Sequence, residues 1–367
     1  MTTIVTTGPF RADHVGSFLR PKALKEARAQ KKAGTITAEQ LRAIEDEEIR
    51  KLVEKQKEAG LQAVTDGEFR RSWWHFDFLS DLVGVEMYQA ESGIKFNGVE
   101  TKADGIKVTG KIDFKDHPVI EDFKFLQSIA GDHVAKYPIP SPNMLLYRAK
   151  FEEGVYEDKE ELFHDLTAAY QKAIQAFYEA GCRYLQLDDT SWAQFFSQES
   201  LDKIKARGED PDELAQLSAR AINESIKYKP EDMVITMHIC RGNFQSTFTS
   251  RGGYDNVSEV IFGQLNVDGL FLEFDDERSG GFEPLKHVNR DDLQIVLGLV
   301  TSKFADLEDP ERIRERIREA SEYVSLDQLC LSPQCGFAST EEGNLITEED
   351  QWNKVRHVVS IAESVWK

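Results

Sequence analysis

The chain has 367 residues, 40% of them apolar, and a formal charge of −20 at pH 7. That length suffices for one large barrel or two ordinary domains, while the charge argues against nucleic acid and anionic membranes as partners. No stretch reaches the length of a membrane span, and the start lacks the basic residues and apolar core of a secretory leader, so a cytoplasmic protein is expected.

Strand-like and helix-like stretches alternate along the chain. Residues 13–18 are short and extended, and Leu19-Arg20-Pro21 leads into a helical stretch ending near Gly34. Residues 37–60 read as a long helix: Thr37 caps it, Leu41, Ile44, Ile49, Leu52 and Val53 form its apolar stripe, and Gly60 stops it. A second strand, 61–66, ends in Asp66-Gly67-Glu68. Between 73 and 132 the alternation breaks. There Asn97-Gly98, Asp104-Gly105 and Gly110 separate short alternating segments such as 106–109 and 111–114, a hairpin pattern. This stretch reads as an insertion in a single domain covering 1–367.

The alternation resumes with a strand at 135–139, a helix at 159–181, a strand at 183–189, a helix at 211–227 and a strand at 233–240. A helix at 255–264, strands at 269–274 and 294–300, a charged helix at 309–323, a strand at 328–332 and a helix at 348–364 complete it. Eight strands alternating with helices predict an α/β fold, a single (β/α)8 TIM barrel with a hairpin-containing insertion after the second strand, rather than a doubly wound open sheet. No Gly-rich dinucleotide fingerprint or phosphate loop follows any strand.

In such a barrel the C-terminal strand ends converge on one face. The polar residues there are Ser17, Asp66, Glu68, Asp188, Asp189, His238, Cys240, Glu273, Asp275, Thr301 to Lys303, and Cys335. Residues two apart on a strand share a face, so His238 and Cys240 project together. Four cysteines in so long a chain do not make a disulfide framework. Cys182 and Cys330 read as small core residues, while His238, Cys240, Glu273 and Cys335 form a donor set suited to Zn2+ rather than magnesium or calcium. Zinc with two thiolates and a carboxylate carries a net negative charge and is a poor Lewis acid toward water. It suits activation of a thiol nucleophile for alkyl transfer more than hydrolysis.

Val15-Gly16-Ser17-Phe18, Asp66-Gly67-Glu68, Leu187-Asp188-Asp189, His238-x-Cys240, the strand-borne Glu273 and Pro333-Gln334-Cys335-Gly336 occur in one order. In that order they resemble the C-terminal catalytic barrel of cobalamin-independent methionine synthases. The similarity is greater still to short, single-barrel bacterial proteins described as methionine-synthase-II-like. The resemblance implies zinc on His238, Cys240, Glu273 and Cys335, and methyl transfer to the homocysteine thiol to give methionine. It also implies that Gly16 and Ser17 bind the homocysteine carboxylate and that Glu68 and Asp188 grip its amino group. The bland reading of the last two is an ion pair with Arg70 or Arg71.

The sequence departs from the family at the proton donor, which a tertiary-amine leaving group requires. The full-length enzymes place a histidine after strand seven; here the stretch is Leu299-Val300-Thr301-Ser302-Lys303-Phe304. Lys303 is the nearest candidate, although it could equally neutralise an anion, and His14 is a second. Trp73-Trp74-His75-Phe76 and Trp192 add aromatics that stack a pterin or simply roof the barrel. The donor is left open among a methyltetrahydrofolate, a methylated corrinoid or its protein, and another small methylated metabolite. Rival functions are alkylation of another thiol, such as coenzyme M, and a non-catalytic barrel binding zinc or an amino acid. A homo-oligomer is compatible with all of these.

Overall fold

Ten strands occur among the described residues: β1 (Ala63–Val64), β2 (Val83–Gln89), β3 (Asp104–Asp113), β4 (Val134–Pro140), β5 (Lys150–Phe151), β6 (Tyr184–Asp189), β7 (Val234–Ile239), β8 (Gly269–Glu273), β9 (Gln294–Val300) and β10 (Leu329–Pro333). The structure is a computed structural model describing residues 8–96 and 98–367; residues 1–7 and Asn97 of the expected Asn97-Gly98 turn lie outside the described residues. Seven strands form one curled parallel sheet in the order β1-β4-β6-β7-β8-β9-β10, and β2, β3 and β5 form a separate small sheet. From β4 onward the strands of the large sheet are buried almost end to end, as expected where both faces are covered.

The expected first strand, 13–18, is not a strand. It is reduced to an isolated parallel bridge from Ala12 to Leu331 of β10. Its backbone is held by side chains instead. The carbonyls of His14, Val15 and Gly16 accept from Lys136 Nζ, Gln186 Nε2 and Thr65 Oγ1 in turn. Gly16, at φ +138°, breaks the extended run. The segment nevertheless touches both edges of the sheet: Asp13 N donates to Leu331 O at 3.0 Å, and Phe18 N to Gly67 O at 3.1 Å. The expected second strand shortens from 61–66 to β1, because the Gln56 side chain bonds both backbone groups of Thr65.

The helix expected at 37–60 runs Ala38–Glu58 with a capping box formed by Thr37 and Gln40, and Gly60 follows at φ +90°. Helices Lys159–Glu179, Pro211–Ile226, Pro310–Ala320 and Glu348–Trp366 fall where their apolar spacing puts them. The pattern missed helices Pro142–Arg148 and Gln198–Ala206.

Within 73–132, β2 and β3 pair antiparallel and β5 joins β3 in parallel. Asp104-Gly105 and Gly110 do not break the chain as expected; they lie inside the single strand β3. Glycine is needed there for close cross-strand packing: a Cβ on Gly105 would stand 2.7 Å from the Tyr88 ring, and one on Gly84 only 2.5 Å from Gly110 O. Helix Val119–Ala130, in the same interval, packs on β4 and on helix Ala38–Glu58 of the main fold.

Candidate active site

The register of the large sheet sets Asp188 of β6 beside His238 of β7, and His238 beside Phe271 of β8. His238 Nδ1 lies 3.3 Å from Phe271 O. With its proton on that nitrogen, the ring offers Nε2, which is buried without a partner among the described residues. Cys240 Sγ and Cys335 Sγ are 3.6 Å apart. That is much longer than a disulfide bond, about 2.05 Å. It is close to the roughly 3.8 Å that two sulfurs keep on a tetrahedral zinc. The ligand atoms of His238, Cys240 and Cys335 all lie within 4.8 Å of one another. The Cys335 thiol is driven well below its usual range by the hydrogen bond from Cys240 and by His238, so this thiol ionises first.

Cys335 reaches the group on the loop after β10. Gln334 N donates to Val300 O at 2.8 Å, and the loop passes so close to Gly298 that a Cβ there would meet Gln334 Cα at 2.6 Å. Asn243 Nδ2 and Ser302 Oγ donate to Gly336 O at 2.7 and 3.0 Å. Asn344 Nδ2 in turn holds Asn243 Oδ1 and Ser302 O. The loop is thereby fixed by residues that follow β7 and β9.

Glu273, the fourth expected ligand, stands outside the three-residue cluster. Its Oε1 accepts from Arg241 N at 2.7 Å, and Arg278 Nη1 is 3.5 Å from Oε2. Oε2 is buried without a hydrogen bond among the described residues. An orphaned imidazole nitrogen, an orphaned carboxylate oxygen and two close sulfurs together fit zinc by donor type. Lys303 is buried, and its charge acts on Glu273 and Asp275.

The same cavity is lined by Ser17, Glu68 and Asp188 beside His238, Cys240 and Cys335. Glu68 sits in the left-handed region at φ +59°, with its N–H accepted by Asp66 Oδ1 at 2.9 Å. Burial raises its carboxyl to about 8, against the pull of Arg71 and Arg20. Burial likewise raises Asp188 to about 6, against His238 and the Gln186 hydrogen bond. Arg71 is 3.9 Å from Glu68 Oε1, while Arg70 pairs with Glu45, Asp46 and Asp122 instead. Glu68 and Asp188 therefore present two carboxyls to one cavity, a cradle for a cation. Ser17 lies against Gly336, where a Cβ would stand 1.9 Å from Ser17 Oγ.

Five expected site residues stand apart from this cavity wall, which Gly16, His14, Lys303, Trp192 and Glu273 do not line. Gly16 packs on Pro138, whose Cγ would be 2.9 Å from an added Cβ. His14 Nε2 is 3.1 Å from Ala63 O, and burial lowers the ring to about 4. Trp192 is fully buried in the core beside Phe195. Trp73, Trp74 and His75 do line the cavity. Sequence reading missed Arg148, Gln186 and Asn243. Gln186 Nε2 holds Asp188 Oδ1 at 2.7 Å and Val15 O at 2.6 Å, tying the acidic pair to the Ser17 turn. An alternate strand residue two before Asp188 was the available signal.

Comparison with known proteins places this geometry. Residues 10–364 match the profile of the family "Cobalamin-independent synthase, Catalytic domain". The Bacillus subtilis protein YxjG, described as uncharacterized, is 65% identical over 360 residues, covering 98% of this chain and 95% of that protein. A crystal structure of a structural-genomics target from Listeria monocytogenes superposes with a TM-score of 0.82 at 52% identity, covering 98% and 99% of the two chains. A B12-independent methionine synthase from Shewanella sp. W3-18-1, solved with selenomethionine, has the same fold at a TM-score of 0.74 and 18% identity, with 98% of each chain covered.

Proposed function

The chain belongs to the family of cobalamin-independent synthase catalytic domains, and from that premise we propose that it is a zinc-dependent homocysteine S-methyltransferase producing methionine. Its frame is read as one (β/α)8 TIM barrel over 1–367, with residues 11–18 in the place of the first strand. The observation that carries the reading is one cavity joining the His238, Cys240 and Cys335 donors to the Glu68 and Asp188 carboxyls.

His238, Cys240 and Cys335, with Glu273 as fourth ligand, would hold zinc, which would supply a centre where a thiol binds as its thiolate. The protein's own groups do the rest. Glu68 and Asp188 bind the amino group of homocysteine as carboxylates, and Ser17 with its turn receives the carboxylate. This fixes the sulfur in line for attack on a methyl group, so the entropy of bringing the reactants together is met by binding. Trp73 and Trp74 offer flat apolar surface to the donor, for which a methyltetrahydrofolate is the leading choice. The cobalamin-independent character of the family weighs against a corrinoid protein. His14, neutral near pH 7 and outside the cavity, is assigned to the substrate turn, and Lys303 to neutralising Glu273 and Asp275. Among the described residues no helix is long and apolar enough to cross a membrane, and a cytoplasmic location is proposed.

The test is a methionine-forming assay with zinc-loaded protein, offering homocysteine or coenzyme M against a panel of methyl donors. Methionine from homocysteine and a methyltetrahydrofolate is the expected product. Alkylation of coenzyme M alone, or of no thiol with any donor, would sink the proposal.

A further inference from the structure

Arg148 ends helix Pro142–Arg148 and lines the cavity with His75, Trp74 and Phe96. Its guanidinium stacks over the Tyr147 ring at 4.8 Å. Among the described residues it makes no ion pair and no hydrogen bond, and its Nε is fully buried. The acid that acts on it, Asp189, is already committed. Oδ1 of Asp189 accepts from Ser191 N and Oγ at 2.6 and 2.5 Å, and Oδ2 from Ser141 Oγ and Asn143 Nδ2 at 2.6 and 3.2 Å. This chain carries 65 acidic residues against 45 basic ones, so a half-buried guanidinium left without an ion pair is not for want of partners.

His75 repeats the pattern. It is 2% exposed, and both ring nitrogens lack a hydrogen-bond partner among the described residues. The ring is clamped between Trp74 and Phe76, at centroid distances of 4.5 and 4.0 Å. Burial and the nearby Arg148 keep it uncharged, which leaves one N–H to donate and one nitrogen to accept. Thr101 and Thr190 line the same cavity. Buried polar groups are almost always satisfied, and a planar guanidinium with an adjacent N–H donor suits carboxylate or phosphate oxygens.

The cavity thus holds two unlike sets of groups: the carboxyls of Glu68 and Asp188, and a guanidinium and an imidazole that no carboxylate pairs among the described residues. We infer that Arg148 and His75 bind the anionic group, carboxylate or phosphate, of the methyl-donating substrate, not the carboxylate of the amino acid. This rests on the reading of Ser17, Glu68 and Asp188 as the amino-acid site.

The probes are glutarate and inorganic phosphate, titrated into zinc-loaded, methionine-saturated protein and followed by tryptophan fluorescence from Trp73 and Trp74. Saturable binding of at least one probe is expected, weakened tenfold or more in Arg148→Gln and partly restored in Arg148→Lys; which probe binds tells carboxylate from phosphate. Methionine affinity, measured calorimetrically, should be unchanged in both variants, which also reports that they fold. The inference is overturned if wild type binds neither probe, if Arg148→Gln binds them as wild type does, or if methionine affinity falls tenfold with the guanidinium. If methionine binds to no form while probe binding still depends on Arg148, the anion site stands and the proposed function fails.

Discussion

At the residue scale, the site is defined by what its polar atoms lack. Glu68 is the clearest case. At pH 7 a carboxyl raised to about 8 holds its proton in the free protein, and a bound ammonium favours the carboxylate. Ligand binding should therefore expel that proton. Methionine, which has no thiol to ionise, isolates the effect: calorimetry in buffers of different ionisation enthalpy should report close to one proton released at pH 7, and none with Glu68→Gln. No release from wild type would remove Glu68 from the amine site. Gln186 supports the neighbouring carboxyl, so Gln186→Leu should weaken methionine binding by about tenfold, roughly the worth of one charge-assisted hydrogen bond, while leaving zinc content unchanged; equal loss of zinc would mean a general structural defect. The residues legible beforehand were those with distinctive chemistry at strand ends, His238, Cys240 and Cys335. Gln186, Asn243 and Arg148 were not, because amides and arginines are common and only tertiary contacts single these out. Lys303 and His14 were selected by their place in the chain, and neither lines the cavity.

At the scale of elements, the sequence spacing located strands β4 and β6 to β10 and the long helices, because buried apolar runs and capping residues are local signals. It failed where side chains replace backbone pairing. Residues 11–18 are fastened by Lys136, Gln186 and Thr65, a pattern with no periodicity to read. Gly105 and Gly110 looked like turns and serve close strand contact instead. His117 links the small sheet to the next helix: Val119 N donates to its Nδ1 at 3.2 Å, and its Nε2 lies 3.0 Å from Phe78 O. Adding a proton to Nδ1 breaks the first bond, and burial lowers the ring to about 4. Its unfolded value is 6.5. Over that window the unfolded chain holds a proton the folded one lacks, so stability is full above 6.5 and falls as pH drops toward 4, by up to about 3 kcal/mol. His14 titrates over the same window, so His117→Asn should remove about half of the acid-side loss its ring shares with His14 in urea unfolding. An unchanged slope would show that His117 is not kept neutral.

At the scale of the whole molecule, the sheet edges meet around the buried Lys136–Asp13 pair, 3.2 Å apart and inaccessible on both sides. Lys136 also lies over the Tyr184 and Phe271 rings. Lys136→Met strands a buried carboxylate and should cost about 3–5 kcal/mol in urea unfolding, with part regained in the double variant with Asp13→Asn. A loss under 1 kcal/mol would mean that the edges close without it. The same closure brings Cys335, from the far end of the chain, to His238 and Cys240. The most direct test of the account is therefore zinc content together with methionine formation in wild type and Cys335→Ser, measured on one preparation of each. The account predicts one zinc per chain and methionine from homocysteine in wild type, and neither in the variant. A Cys335→Ser protein that is fully zinc-loaded and active would contradict it.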